Sequence, residues 1–226
     1  MNGRYGTVEC INIIRHSFYK KIIYKHIHKE SNILIVGGGN GDSLLDYYNS
    51  SSSITFTDID QDAIEFVKKK YSDLNISLLC CSAYELPFKN ESFDVIVSTL
   101  NGSYLNSKAL NEFYRIMKRG SELILSETTT QYIDYLREID RYDGTYILAS
   151  DMETKKLHPY VYTKAELEKI CASSGLKTMH FEILRPNSLI PDNKLSSVIH
   201  GFSSYLGCKT SDVPLLYYAF LQKEIK

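Results

Sequence analysis

The feature that most limits what this chain can fold into is a repeated rhythm of short, nearly unbroken apolar runs and stretches with helical spacing. Ile33 to Val36, Ile54 to Thr57, Ile76 to Cys80, Phe93 to Ser98 and Glu122 to Glu127 read as five strands. Helices are expected over about Gly41 to Tyr48, Asp62 to Tyr71 and Ser107 to Lys118. Strands alternating with helices imply right-handed crossovers and parallel pairing. Runs such as ILIV and VIV, with no polar residue at alternate positions, fit a sheet covered on both faces. The expected class is therefore α/β, with a doubly wound, mostly parallel sheet.

The rhythm lapses twice. From about 128 to 160 the chain is Tyr-rich and polar with helix-like stretches and no clear strand, and 186 to 213 reads as a second insertion. Between them, Thr163 and Glu166 have the spacing of a capping box for a helix near Lys164 to Ser173, and Gly175 ends it. Lys177 to Leu184 and Leu215 to Gln222 read as late strands. At the N-terminus, Ile11, Ile14, Phe18, Ile22, Ile23 and Ile27 recur at helical spacing. Residues 1–30 are thus expected to form a helical cap segment on a domain spanning 31–226. His16, His26 and His28 would lie on the solvated face of that helix.

Composition narrows the function classes. Apolar content of 43% and charged content of 23% over 226 residues are those of an ordinary globular protein. A net charge of −1 gives no overall field for nucleic acid or an anionic membrane. No apolar run approaches the roughly 18 residues of a membrane span, and the N-terminus does not read as a signal peptide, so the cytoplasm is the expected compartment. Five irregularly spaced cysteines with no CxxC pair argue against a structural zinc site. Cys80 and Cys81 are expected inside the third strand, on opposite faces.

The chemistry starts at ILIVGGGNGD, residues 33 to 42. A dinucleotide fingerprint wants Gly-x-Gly-x-x-Gly around a pyrophosphate at a helix N-terminus. Here the third position is Asp42, whose carboxylate would oppose a phosphate. No Gly-Lys-Ser/Thr follows, which excludes the P-loop. Gly37, Gly39 and Gly41 remain, suited to a ligand that approaches the backbone closely without a phosphate, or to a structural turn. Asp58, at the end of FTDID and about 20 residues on, has the position of an acid that accepts both ribose hydroxyls. Asp60 is the better helix cap.

ILIVGGGNGD, ITFTDIDQDAIEFVKKK, CSAYELPFKNESFDVIVS and ALNEFYRIMKRGSELILSE, in this order and spacing, resemble the class I S-adenosylmethionine-dependent methyltransferases. The resemblance covers about residues 30 to 127 and returns more weakly over 158 to 184. It implies a seven-stranded Rossmann-like sheet whose last strand, Leu215 to Gln222, runs antiparallel, and S-adenosylmethionine as cofactor with S-adenosylhomocysteine as product. Carried over, Gly37, Gly39 and Gly41 would wrap the methionine moiety and Asp58 would hold the ribose. Ile59 would lie against the adenine, with Ser82 and Ala83 at its edge. Thr99 and Leu100, just past the fourth strand, would border the methyl group. The chain departs from the family at Ile35 and Ser82, where acids are frequent, and at Arg119-Gly120-Ser121, where Pro-Gly-Gly is usual. The glycine wording also resembles the aminopropyltransferases, but those need acids beyond the fourth strand, and this chain has Ser98-Thr99-Leu100-Asn101-Gly102.

A sulfonium methyl is already activated, so positioning supplies much of the catalysis, on the order of 7–11 kcal/mol in favourable cases. His158 is the candidate base, since its proton affinity lies near neutrality, and Tyr5, Tyr132, Tyr135 and Tyr146 are candidates to line an acceptor pocket. No metal is expected. The reading is methyl transfer to an oxygen, nitrogen or carbon of a small-molecule acceptor by a monomer or homodimer, with no nucleic acid and no membrane as partner. The competing class is a cofactor-binding protein on the same fold that does not methylate, cyclase-like or regulatory.

Overall fold

The computed structural model describes residues 27–28, 30–48, 53–99, 104–131, 145–147, 154–156, 162–185 and 216–224. Seven strands form one sheet: β1 (Asn32–Val36), β2 (Ser53–Asp58), β3 (Ile76–Cys80), β4 (Phe93–Thr99), β5 (Met117–Thr128), β8 (Leu176–Leu184) and β9 (Leu216–Lys223). A separate two-stranded ribbon pairs β6 (Thr145–Ile147) with β7 (Thr154–Lys156). Helices are α1 (Leu44–Tyr47), α2 (Gln61–Lys70), α3 (Ser107–Ile116) and α4 (Lys164–Ser173).

The spatial order of the large sheet is β3-β2-β1-β4-β5-β9-β8. Strands β1 to β5 pair in parallel, and β9 runs antiparallel to both β5 and β8. The chain therefore builds outward from β1 in one direction, then returns to β4 and builds in the other. The reversal lies between β1 and β4, the crevice where open α/β sheets bind ligands at the strands' carboxyl ends.

Two apolar layers explain why the apolar runs are nearly unbroken. Ile33, Ile35, Phe56, Val97 and Ile124 point to one face, with Leu44, Ile64 and Val67 of α1 and α2. Leu34, Val36, Ile96, Leu123 and Leu125 point to the other, under Ala109, Leu110 and Phe113 of α3 and Leu167 of α4. Helix ends follow their sequence signals. Asp60 accepts from the Asp62 amide at the start of α2, Asn106 accepts from Lys108 and Ala109 at α3, and the Thr163–Glu166 capping box is formed at α4. Gly175 follows α4 with φ of 80°.

Several boundaries differ from expectation. The helix expected over Gly41 to Tyr48 is one turn, Leu44–Tyr47, because Gly41 has φ of 72° and cannot be a helical residue. The helix expected to reach Lys118 stops at Ile116, where Met117 becomes extended. Strand β5 accordingly starts at Met117 instead of Glu122, with a register irregularity against β4. Strand β3 ends at Cys80, so Cys81 lies just past it, and β4 includes Thr99 as its last residue. The first insertion was expected to hold no strand, yet it contains the β6–β7 ribbon. His28 is an exposed coil residue whose carbonyl takes the Ser31 hydroxyl at 2.8 Å. Residues 1–26 and 29 of the N-terminal cap, most of the first insertion and all of the second lie outside the described residues.

Candidate functional site

The glycine loop leaves β1 at the switch point. Gly37, Gly39 and Gly41 have φ of 62°, 56° and 72°. Gly38 is required for another reason: a Cβ there would collide with the Phe56 ring. At Gly39 a Cβ would meet nothing within 4 Å, so it is backbone conformation that demands glycine there, and the space in front of it is open. The loop is pinned from below by Gly38 N–H to the Thr57 carbonyl (3.1 Å) and from its side by the Tyr71 hydroxyl to the Gly41 carbonyl (2.9 Å).

Asp58 closes the same cradle from β2. Its Oδ2 accepts the Gly39 amide at 2.8 Å and its Oδ1 accepts the Asp60 amide at 2.9 Å. Each carboxylate oxygen carries a second lone pair, so the half-buried side chain can accept two further hydroxyls while keeping both bonds. Ile59 follows, 73% exposed; a large apolar side chain standing free at a strand end offers a flat ligand one apolar wall. Asp42, which argued against a phosphate, is neutralised by Lys70 at 2.9 Å and held by Asn40.

Beyond β3, the Cys81 amide donates to the Asp58 carbonyl at 2.9 Å, which sets the next segment beside the cradle. Ser82 Oγ accepts the Tyr84 amide at 3.2 Å, leaving its hydroxyl proton available. Ala83 is buried against the α3 side. On β4, Thr99 is half-buried and in register with Ser126 of β5. The structure thus brings Gly37, Gly39, Gly41, Asp58, Ile59, Ser82, Ala83 and Thr99 to one edge. Leu100, Tyr5, Tyr132, Tyr135, the Tyr146 side chain and His158 lie outside what is described.

Three features of this edge escaped the sequence reading. Tyr104 donates its hydroxyl to the Val36 carbonyl (3.0 Å) and lies 3.3 Å from Ser98 Oγ, bridging β1 and β4 at the crevice. Burial holds its phenol well above the usual tyrosine range, with the Ser98 bond opposing and the Glu127 charge adding to the rise. Glu127 itself is 2% exposed at the carboxyl end of β5, facing Tyr217 across the strand pair. Ser126, Thr128 and Tyr217 carry buried hydroxyls with no hydrogen-bond partner among the described residues. Only the Tyr-richness of the chain hinted at such a polar lining.

Shape alone would direct attention elsewhere. A cavity of about 270 Å³ is lined by His28, Ser31, Asp94, Lys118, Arg119 and Glu122 among others. It lies at the amino ends of β1 and β4. Its charges are spent internally: Asp94 takes Lys118 at 2.8 Å and the Asn32 amide at 2.9 Å. Its lining therefore braces the lower rim of the sheet, and the glycine loop and Asp58 are on the opposite edge.

Comparison with known proteins agrees with this geometry. Residues 34–125 match a family model described as a methyltransferase domain. Over 126 residues the chain is 34% identical to the ubiquinone/menaquinone biosynthesis C-methyltransferase UbiE of Rickettsia bellii, covering 50% of each chain. The chain spans about half the length of these curated relatives. A crystal structure of a SAM-dependent methyltransferase from Methanosarcina mazei superposes with a TM-score of 0.66 at 18% identity, covering 91% of this chain and 98% of that one. The [4+2]-cyclase SpnF superposes with a TM-score of 0.64 at 15% identity, covering 93% and 82%.

Proposed function

We propose that the chain is a class I S-adenosylmethionine-dependent methyltransferase, a reading supported by its methyltransferase-domain match, its relatives and its fold, and that it methylates a carbon of a small aromatic acceptor of the quinone-precursor type. The observation that carries the cofactor assignment is the single cradle formed where Asp58 Oδ2 takes the Gly39 amide, beneath open space and beside exposed Ile59. The residues fit S-adenosylmethionine in chemistry. Asp58 has spare acceptors for two ribose hydroxyls, Ile59 supplies an apolar wall for adenine, and the bare glycine backbone admits the methionine chain. The carbon acceptor is suggested by likeness to UbiE, whose name states C-methylation in quinone biosynthesis.

When bound, the cofactor supplies an electrophilic methyl whose carbon–sulfur bond breaks as the new bond forms. The chain's own work is then alignment and the exclusion of water. The β1–β4 crevice fixes the donor end, with Tyr104 holding the two strand ends together. Ser126 and Thr128 share a sheet face with Thr99, and their hydroxyls, without a partner among the described residues, support reading that face as the acceptor side. A ring carbon of the acceptor would have to give up its proton on methylation, and His158 is the candidate to take that proton. Tyr132, Tyr135 and Tyr146 in the insertion after β5, with Tyr5, are the candidates to line the acceptor pocket.

The test combines cofactor labelled in its methyl carbon with a panel of unmethylated quinols, phenols and amines. Label in a new carbon–carbon bond of a quinol, with one S-adenosylhomocysteine formed per transfer, supports the proposal. Label on oxygen or nitrogen refutes the carbon assignment. Tight cofactor binding without transfer to any member assigns the chain to the non-methylating class instead. His158→Ala is expected to lower kcat at least about 10-fold, within the usual range for a lost general base, with little change in cofactor affinity.

A further inference from the structure

We propose that Glu112 and Arg115 of α3 are positioning residues for adenine recognition, acting through the loop that follows β3. The proposal rests on the cofactor reading above and concerns residues that never touch the cofactor.

The segment 81–92 joins β3 to β4 with no helix of its own. It is shaped by short internal turns, such as Glu85 N–H to the Ser82 carbonyl (3.2 Å) and Phe88 N–H to the Leu86 carbonyl (2.8 Å). Its first residues, Ser82 and Ala83, follow Cys81, whose amide bonds the Asp58 carbonyl at 2.9 Å, and are the positions that the cofactor reading puts at the adenine edge. A loop of this kind holds a base edge only if something outside it fixes its path.

That support comes from one residue pair. Glu112 Oε2 accepts the Leu86 amide at 2.9 Å. Arg115 donates from Nη2 to the Leu86 carbonyl (2.8 Å), and from Nη1 to the Phe88 carbonyl (2.7 Å) and Asn90 Oδ1 (3.2 Å). Its Nε and Nη2 grip Glu112 Oε1 and Oε2, each at 2.8 Å. All five guanidinium N–H groups are thereby used. The two side chains are 20% and 32% exposed, shielded more than an ordinary surface pair. The Arg115 bond holds the Glu112 carboxyl below its usual range, against the effect of burial, with the Leu86 amide adding to the fall.

A clamp on the backbone of 86–90 lies only a few residues from Ser82. The intervening chain is itself tied down: Ala83 and Leu86 are buried against the α3 face, and the Tyr84 hydroxyl accepts from Asn106, the cap of α3, at 3.1 Å. The Ser82 hydroxyl is thus placed relative to α3 by a continuous set of bonds. A lysine at position 115 keeps the charge but presents its donors from one point, so it cannot span Leu86, Phe88 and the Glu112 carboxylate together.

The experiment compares S-adenosylhomocysteine with S-inosylhomocysteine, which differ along one purine edge (6-amino and N1 acceptor against 6-oxo and N1–H), by titration calorimetry on the full chain. The wild type is expected to prefer the adenine form. Arg115→Lys is expected to weaken S-adenosylhomocysteine binding by roughly 10-fold and to bring the preference between the two to within about 2-fold, as loss of a pre-positioned polar contact does. Glu112→Gln, which keeps the shape of the clamp, should reduce the preference by about 3-fold and carries the test if Arg115→Lys does not fold. In either variant, Asp58→Ala should cost the same factor as in the wild type, because the ribose end is held separately. Variants that lose thermal stability but keep the purine preference would overturn the proposal, as would a wild type that binds both nucleosides alike. A wild type that binds neither would fail the cofactor reading itself.

Discussion

Removing the Asp58 carboxylate should show two losses of different origin. Within the protein, Asp58→Ala deletes the bonds to the Gly39 and Asp60 amides. Charge-assisted bonds are worth about 1.5–3 kcal/mol each, but these amides lie in a half-open loop where water can replace the carboxylate. A net stability loss of about 1–2 kcal/mol follows, or a fall in Tm of roughly 2–8 °C for a chain of this size. At the ligand, two ribose hydroxyls lose their acceptors; at the lower figure of about 1.5 kcal/mol each, the sum of about 3 kcal/mol corresponds to roughly 150-fold in affinity. The comparison that separates the two is Asp60→Ala. Asp60 caps α2, and its loss should cost about 1 kcal/mol of stability with little change in binding. Calorimetric titration with S-adenosylhomocysteine, beside thermal melts of all three proteins, measures both. If Asp58→Ala melts earlier yet binds within about 2-fold of wild type, when at least about 10-fold is required, the carboxylate is loop architecture only and the ribose assignment is wrong.

Gly39→Val should abolish cofactor binding, because φ of 56° is strained for a branched residue and its side chain would fill the open space before the loop; a folded variant that binds normally would make that space irrelevant. Burial pushes the Cys171 thiol up to about 12, so at pH 8 it should resist alkylation while exposed Cys80, whose thiol bonds the Ile59 carbonyl at 3.4 Å, reacts and is protected by cofactor. Peptide mass mapping reads both. The Glu112 carboxyl is held below the ordinary 4.5 by Arg115. Its contribution to stability is therefore full above that value and fades as pH falls through the lower folded-state value. Wild type and Glu112→Gln should differ in Tm at pH 7 and converge in strong acid; a gap that persists there would place the clamp's worth elsewhere.

The parallel core was legible because strands covered on both faces must be apolar at successive positions, as in ILIV, and because a glycine-rich turn follows β1 directly. Asp58 could be read from its place at a strand end, and Thr163–Glu166 from a spacing with one local meaning. What could not be read depends on partners distant in sequence. Glu112 and Arg115 look like an ordinary helix-surface pair, and nothing local announces carbonyls 27 and 29 residues away. Tyr104 takes its role from a carbonyl 68 residues back. The short α1 was missed because apolar spacing counts side chains, whereas Gly41 stops the helix through its backbone.

The most direct test of the central claim is a single-turnover reaction of the purified chain with methyl-labelled S-adenosylmethionine and an unmethylated quinol, followed by mass spectrometry and carbon NMR. The account predicts one label on a ring carbon and one equivalent of S-adenosylhomocysteine, both lost in Asp58→Ala at limiting cofactor. Saturating, Asp58-dependent binding of the cofactor with the methyl still on sulfur after many binding lifetimes, across quinol, phenol and amine acceptors, would contradict it.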